Sequence, residues 1–213
     1  MKAILIGATG ATGKDVLQLL LKDGAFHEVD IFVRHKLEIK LEKLNVHVID
    51  FDKPEQWKHL VKGDVLFSCL GTTLKAAGGK EAQWKIDYEY QYQFAKLARE
   101  NQVNNYVLVS AAGADPKSSI FYSRMKGKLE EAVKALGFSK ITIFKPSLLA
   151  RKNTDRKGEE ISMKIIQFFN KIGLFRSMKP LPTDILALAM INSAKSKETG
   201  LTIIKAGEIW KRA

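Results

Sequence analysis

A glycine-rich turn near the N-terminus constrains the fold more than any other feature of the chain. Gly7, Gly10 and Gly13 lie between a continuous apolar run at residues 3–7 and a helical pattern of apolar residues that begins at Val16. A continuous apolar run is typical of a parallel strand buried on both faces. The order strand, glycine turn, helix indicates a phosphate-binding turn of a dinucleotide site, with a merely structural turn as the alternative.

The same alternation of apolar runs and helical patterns continues along the chain. We predict strands at 3–7, 29–33, 46–50, 64–70, 106–110, 141–145 and 201–204, and helices after the glycine turn and at about 82–102, 119–136, 160–172 and 183–194. Strands that alternate with helices predict an α/β fold with a doubly wound parallel sheet in three αβα layers.

The length of the chain suits one domain. At 213 residues we expect a single unit over 1–213, with a small substrate or lid part from about 147–213. The charged stretch at 151–160 is interpreted as a loop beside the site.

The net charge of the chain is strongly positive. Lys and Arg number 35 against 23 Asp and Glu, a balance that attracts phosphorylated ligands, acidic membranes and nucleic acids alike. Basic residues are spread along the chain without long runs or interleaved aromatic residues, so we do not expect a nucleic-acid partner.

The cysteine, histidine and N-terminal patterns indicate a cytoplasmic protein without metal. Cys69 is the only cysteine, which excludes an internal disulfide and favours a reducing compartment. The first apolar run is too short for a signal peptide or a membrane span, so no membrane association is expected. The four histidines show no metal-ligand spacing.

The glycine turn is expected to hold the phosphates of a dinucleotide. Glycine lets the backbone bend tightly and approach a pyrophosphate, and the following helix N-terminus offers amide donors and a partial positive charge. The predicted phosphate contacts are Gly7, Thr9, Gly10, Ala11, Thr12 and Gly13.

Cationic residues follow the second predicted strand, where NAD-preferring folds place a carboxylate on the ribose. Arg34 and Lys36 lie there, with His35 between them. A guanidinium binds a phosphate through two parallel hydrogen bonds. We therefore expect NADP(H) in preference to NAD(H), although Lys36 also fits a merely solvated charge.

Three residues form the predicted catalytic set. Tyr122 and Lys126 are four residues apart on one helix face, and Ser110 ends the fifth predicted strand. A lysine ammonium beside the tyrosine, together with the positive ring of the cofactor, is expected to lower the tyrosine pKa, so that Tyr122 can transfer a proton. The serine hydroxyl is expected to hold the substrate oxygen. Without this context, Tyr122 would fit a helix-surface aromatic equally well.

Taken together, these motifs resemble those of the atypical short-chain dehydrogenases/reductases, which have a Rossmann fold. The G-x-x-G-x-x-G turn and the segments 109–114, 122–130 and 145–149 are similar to those of the Tat-interacting-protein-like oxidoreductases. That group is related to the NAD-dependent epimerase/dehydratase and NmrA-like proteins, and the resemblance covers nearly the whole chain.

The resemblance implies further cofactor contacts. It places the adenine at Asp50 and Phe51, the adenosine ribose and pyrophosphate side along Leu70, Gly71 and Thr72, and the nicotinamide against Pro146, Ser147 and Leu148, with Tyr122 and Lys126 addressing the same ring. The sequence departs from the family pattern at two points, which limits what the resemblance implies. The Asn-Asn-Ala-Gly segment of the short-chain enzymes is replaced by 68–71, so their four-residue proton relay is not carried over. The chain is also too short for the substrate domain of sugar-nucleotide epimerases.

Three functions are compatible with this pattern. The leading hypothesis is an NADPH-dependent reductase of a small carbonyl compound whose identity the sequence does not specify. The second is a non-catalytic NADP(H)-binding redox sensor that acts through a protein partner, and the third is a basic nucleic-acid binder. A monomer and a homodimer are equally compatible with the sequence.

Overall fold

A computed structural model describes residues 1–150 and 180–213 of the chain. Its centre is a seven-stranded, fully parallel sheet. The strands of this sheet are β1 (Lys2–Ile6), β2 (Glu28–Val33), β3 (Leu44–Val48), β4 (Val65–Ser68), β5 (Asn105–Val109), β6 (Lys140–Lys145) and β9 (Gly200–Lys205). Each of the seven predicted apolar runs is therefore confirmed as a strand, shifted by one or two residues at its ends.

The strand order is β3-β2-β1-β4-β5-β6-β9. β2 and β3 therefore lie on one side of β1, and β4, β5, β6 and β9 lie on the other. β1 and β4 are direct neighbours, with Ile6 opposite Ser68 at their carboxyl ends. Ligands of open α/β sheets bind outside the carboxyl ends of the strands at such a reversal. The predicted doubly wound architecture is confirmed, and the glycine turn follows directly from β1 at the point of reversal.

Helices cover both faces of the sheet. They are α1 (Ala11–Lys22), α2 (Leu74–Ala77), α3 (Lys80–Trp84), α4 (Tyr90–Glu100), α5 (Phe121–Lys134), α6 (Thr183–Lys195) and α7 (Ala206–Ile209). α1 and α6 pack together on one face, and α4 packs on α5 on the other. Alternate side chains of a strand point to opposite faces, and β1 accordingly sends Leu5 into one core and Ile6 into the other.

The long helix predicted at about 82–102 is interrupted. A π-helical turn, Lys85–Glu89, separates α3 from α4. A π turn inserts an extra residue into the helical ladder and often marks a functional site. Helical periodicity does not reveal such a turn, because the apolar pattern continues on both sides of it.

Several short elements were not predicted. They are α2, α7, two 3₁₀ turns at Pro54–Gln56 and Lys58–Leu60, and a small parallel pair of strands, β7 (Leu149–Ala150) and β8 (Leu181–Pro182). Elements of two to four residues carry too few apolar positions to show a period.

The C-terminal part contributes to the main sheet. β9 pairs with β6, and α6 packs on α1. The predicted helix at about 160–172 and the predicted loop at 151–160 lie outside the described residues, so a lid part over about 147–213 stays a prediction. In the described ranges, no helix is long and apolar enough to cross a membrane.

Candidate functional site

The glycine turn has a geometry that only glycine can adopt at two of its positions. Gly7 has φ +82°, in the left-handed region, and a Cβ there would lie 2.4 Å from the backbone carbon of Cys69. A Cβ at Gly13 would lie 2.0 Å from the Gly7 carbonyl oxygen. Gly10 closes the turn by donating its N–H to that same oxygen at 2.9 Å. The turn therefore brings α1 directly against the junction of β1 and β4.

The N-terminus of α1 presents unused amide groups. Gly10 caps the helix without a side-chain hydrogen bond, and the first turn holds no acidic residue. The first N–H groups of a helix have no partner within the helix, and the helix dipole adds partial positive charge there. Thr9 and Gly10 are exposed, Ala11 is half-buried and Thr12 is buried. This cradle fits the pyrophosphate of a dinucleotide.

The predicted cationic residues lie beside this turn. Arg34 follows β2, the neighbour of β1, and both Arg34 and Lys36 are exposed. Within 1–150 and 180–213 neither side chain forms an ion pair. Arg34 therefore presents an exposed positive charge at the carboxyl end of β2.

The two residues that the resemblance places at the adenine have different surroundings. Asp50 is exposed, with a carboxylate 3.3 Å from Lys53 Nζ. Phe51 is only 5% exposed and packs against Trp57 and Tyr90. The Phe51 ring therefore belongs mainly to the core, and Asp50 has the more accessible side chain.

The segment that follows β4 is fixed by a residue of the π turn. The amide of Thr72 donates to both carboxylate oxygens of Asp87 at 3.2 Å, and Gln83 Nε2 donates to the Thr72 carbonyl at 3.0 Å. Leu70 is half-buried and Gly71 is exposed. Asp87 thus holds the strand end that is expected to lie along the dinucleotide.

Tyr122 and Lys126 lie on one face of α5, as their spacing predicts. Lys126 Nζ is 6.0 Å from the centroid of the Tyr122 ring and 3.5 Å from Asp87 Oδ1. The side chains of Lys126 and Asp87 are only 3% and 1% exposed. A buried charge of this kind requires a partner, which Asp87 supplies. Asp87 is a functional candidate that sequence reasoning missed.

The pKa values of Lys126, Asp87 and Tyr122 are set by burial and by the neighbouring charges together. Burial lowers the pKa of Lys126, but Asp87, Tyr122 and Glu130 together outweigh it and the pKa is raised. Burial raises the pKa of Asp87, against the opposing effect of Lys126. Burial likewise raises the pKa of Tyr122, although Lys126 opposes that rise. Lys126 lowers the tyrosine pKa in the pairwise effect, as expected, but desolvation is larger and the chain's own groups raise the pKa of Tyr122 overall. The further lowering expected from the positive ring of a cofactor stays a prediction.

Ser110 follows β5 and is buried, with its hydroxyl engaged. Ser110 Oγ donates to Glu130 Oε1 at 2.5 Å, and Lys145 Nζ lies 3.1 Å from Glu130 Oε2. Glu130 is four residues beyond Lys126 on α5, so the sequence does contain a signal for it: Tyr, Lys and Glu recur at one helical turn. Lys145, the last residue of β6, begins the segment 145–149 that resembles the related oxidoreductases, but the sequence indicated no role for its side chain.

The segment after β6 runs along the same edge of the sheet. Pro146 is buried and its carbonyl accepts from Ala112 N at 2.8 Å, while the Leu148 carbonyl accepts from Leu181 N at 2.8 Å. Ser147 is half-buried. The first bond joins the segment after β6 to the one after β5, and the second joins it to β8.

The predicted site residues therefore gather at one edge of the sheet. Each of five parallel strands is followed at its carboxyl end by a predicted residue, namely Gly7 after β1, Arg34 after β2, Leu70 after β4, Ser110 after β5 and Pro146 after β6. The arrangement can hold an extended anionic ligand across the strand ends, with a half-buried tyrosine and a buried lysine at one side of it.

Comparison with known proteins shows the family to which the chain belongs. The sequence model of the NAD(P)H-binding family matches residues 7–164. Protein HTATIP2 of Rattus norvegicus is 33% identical over 202 residues, covering 92% of this chain and 82% of the relative. The mitochondrial protein fmp52 of Emericella nidulans is 30% identical over 217 residues, covering 97% of this chain and 92% of the relative.

Solved structures share the fold at low sequence identity. MoeE5 in complex with UDP-glucose and NAD superposes with a TM-score of 0.73 at 12% identity, over 98% of this chain and 79% of that protein. A short-chain dehydrogenase/reductase superfamily protein from Agrobacterium tumefaciens with bound NAD gives 0.72 at 12% identity, over 97% and 77%. These likenesses establish the Rossmann architecture.

Proposed function

Because the chain belongs to the NAD(P)H-binding family and is homologous to HTATIP2 and Fmp52, we propose that it is an NADP(H)-dependent oxidoreductase that reduces a small carbonyl compound. The observation that carries this proposal is the buried Lys126 ammonium, held by Asp87 and placed one helical turn from Tyr122. A buried lysine with a raised pKa, one helical turn from a tyrosine at the strand ends, is typical of a catalytic site.

The residues at the strand ends fit the cofactor. The amides at the start of α1 and the Gly7–Gly13 turn would hold the pyrophosphate, and Asp50 would accept from the adenine amine. The segments at 70–72 and 146–148 would line the ribose and nicotinamide sides. When bound, the reduced nicotinamide supplies a hydride to the carbonyl carbon.

Arg34 supports the preference for the phosphorylated cofactor. A 2′-phosphate carries about two negative charges, and a guanidinium can bind it through two charge-assisted hydrogen bonds. Arg34 is exposed at the carboxyl end of β2 and forms no ion pair with the described residues. Lys36, two residues further on, adds a second positive charge.

The proton comes from the chain itself. Tyr122 donates its phenolic proton to the substrate oxygen as the carbonyl becomes an alcohol, which leaves a phenolate to be reprotonated from solvent. Lys126 stabilises that phenolate, and Asp87 keeps Lys126 in place and charged. Ser110 would lie beside the substrate oxygen at the end of β5, with its own hydrogen engaged by Glu130.

The experiment is turnover of NADPH with a panel of aldehydes, ketones and quinones. We expect Tyr122→Phe to reduce kcat by about a hundredfold or more, the usual contribution of a general acid, while NADPH affinity stays unchanged. Tyr92→Phe, on α4, is the matched control and should retain activity. If NADPH binds but no substrate gives turnover sensitive to Tyr122→Phe, the reductase proposal fails and the redox-sensor function takes its place.

The pH dependence of the reductive rate is a second test of Tyr122 as the proton donor. Reduction requires the protonated tyrosine, and burial raises the pKa of Tyr122. The reductive rate should therefore stay constant through neutral pH and fall only above about pH 10, the ordinary value for tyrosine. A decline that begins near neutrality would contradict this assignment of the proton donor.

The compartment and the oligomeric state are separate proposals. The fungal relatives are named mitochondrial proteins. A cytoplasmic location for this chain is therefore only a proposal, which fractionation of cells that express the tagged chain would test. Light scattering of the purified chain would distinguish the monomer from the homodimer.

A further inference from the structure

The hydroxyl hydrogen of Ser110 is donated to a buried carboxylate. Ser110 Oγ donates to Glu130 Oε1 at 2.5 Å, and both residues are at most 5% exposed. The other oxygen of Glu130 lies 3.1 Å from Lys145 Nζ, which also donates to the Ala114 carbonyl at 2.9 Å. Glu130 is thus held on one side by an ammonium and on the other by the serine.

The hydrogen bond to Glu130 limits which hydrogen bonds Ser110 can form with a ligand. A serine hydroxyl has one hydrogen to donate and two lone pairs to accept with. An ionised carboxylate accepts only, so the hydrogen of this bond belongs to Ser110. While the bond to Glu130 persists, Ser110 can offer a ligand only lone pairs.

We propose that Glu130 is a positioning residue that fixes Ser110 as a hydrogen-bond acceptor, so that the site binds alcohols more tightly than the corresponding carbonyl compounds. This inference rests on the proposed function. An alcohol hydroxyl can donate to Ser110, whereas a carbonyl oxygen cannot, and it must rely on Tyr122 alone. The geometry therefore favours the alcohol that carbonyl reduction forms, which has a hydroxyl donor at the reacting carbon, over the carbonyl compound itself.

Lys145 makes the inference testable by one substitution. In Glu130→Gln the amide has one oxygen and one NH₂ group. The Lys145 ammonium has only hydrogens to offer, so it pairs with the amide oxygen and turns the NH₂ group toward Ser110. The NH₂ then donates to Ser110 Oγ, and the serine hydrogen becomes free for a carbonyl oxygen. Glu130→Gln should therefore convert Ser110 from an acceptor into a donor.

The experiment measures binding of unreactive ligand pairs to the full chain saturated with NADP⁺. The pairs are 1-methylcyclohexanol with cyclohexanone, and 2-phenylpropan-2-ol with acetophenone. A tertiary alcohol has no hydride to give and a ketone is already oxidised, so neither member reacts. In the wild type the alcohol should bind about tenfold more tightly, the value of one net hydrogen bond.

The variants separate a positioning role from a structural one. Glu130→Gln should bring the alcohol-to-ketone ratio to one or reverse it, whereas Glu131→Gln, the same change at the exposed neighbour on α5, should leave it at the wild-type value. Ser110→Ala should abolish the preference by itself, and no effect of Glu130→Gln on the ratio should remain once Ser110 is removed.

The outcomes distinguish this inference from the proposed function. If NADP⁺ fails to bind, the proposed function falls and the inference falls with it. If NADP⁺ binds but the wild type shows no preference, or binds no member of either pair, the inference alone is overturned. An effect of Glu130→Gln on the ratio that persists with Ser110→Ala also overturns it.

Discussion

At the scale of single residues, the site is organised around two lysine–carboxylate pairs, one fully buried and one with a half-buried lysine. Lys126 pairs with Asp87, and Lys145 pairs with Glu130, which also accepts from Ser110. Taking charges out of water is costly, so each pair is stable only because its partner and further hydrogen bonds are in place. The two pairs fix Tyr122 and Ser110, respectively, by holding their neighbours.

Of the site residues, Asp87 is expected to contribute most to the free energy of unfolding. Asp87→Asn keeps the shape of the side chain but leaves the buried Lys126 without its nearest carboxylate, and we expect a loss of about 3 kcal/mol in the free energy of unfolding. Urea denaturation at neutral pH measures this loss. Asp52→Asn, which removes an exposed carboxylate paired with Lys85, should change stability little. Equal losses in the two variants would contradict a buried ion pair at Asp87.

Arg34 is expected to determine the cofactor preference. Arg34→Ala should weaken NADPH binding by about tenfold or more, since it removes charge-assisted hydrogen bonds to the 2′-phosphate, and should leave NADH binding nearly unchanged. Lys62→Ala removes one exposed positive charge before β4, at the amino end of the strands, and should affect neither dinucleotide. A fluorescence titration with both cofactors decides the matter, and equal losses for NADPH and NADH would refute the assignment.

The sequence indicated one member of each interacting group but not its partners. Tyr122, Lys126 and Ser110 were predicted because they fit a known pattern of spacing. Asp87 was missed because a π turn, which periodicity does not show, brings it to Lys126. Glu130 was missed because a charged residue on a helix is usually solvated, and its burial depends on β5 and β6.

At the scale of elements, α5 connects the site to the fold. The helix carries Tyr122, Lys126 and Glu130 on successive turns and packs on the segment that follows Ser110. Its closest approach is at Gly127, where a Cβ would lie 2.2 Å from the backbone nitrogen of Pro116. No side chain fits there unless the helix or the segment moves.

Gly127→Ala should therefore disturb both stability and the site. We expect a loss of about 2 to 3 kcal/mol in the free energy of unfolding, in the range of overpacked cores, despite the higher helix propensity of alanine. Chemical denaturation measures it. Gly207→Ala, in α7 with open space around the added carbon, is the matched control and should be tolerated. A Gly127→Ala variant as stable as wild type would show that α5 can shift freely.

Element boundaries illustrate why strands were predicted better than helices. The strands of the main sheet are buried on both faces and separated by turns, so their apolar runs stand out in the sequence. The helix after β4 has the right apolar spacing but contains α3, a π turn and α4. A local pattern cannot show where the hydrogen-bonding ladder changes.

At the scale of the whole molecule, the sheet order brings distant parts of the sequence to one edge. β1 lies between β2 and β4, and β5 and β6 follow beyond β4, so that the turns after these parallel strands lie at one edge of the sheet. The doubly wound order was predictable from the alternation of strands and helices, because right-handed crossovers leave few other arrangements. The positive charge of the chain, 35 basic against 23 acidic residues, favours an anionic ligand at that edge.

Equilibrium titration of the purified full chain with NADPH and NADH shows whether this edge of the sheet binds NADP(H). We expect saturable binding of one NADPH per chain, about tenfold tighter than NADH, since one bidentate phosphate contact is worth at least that factor. A chain that binds neither dinucleotide saturably would contradict the assignment of this edge as an NADP(H) site.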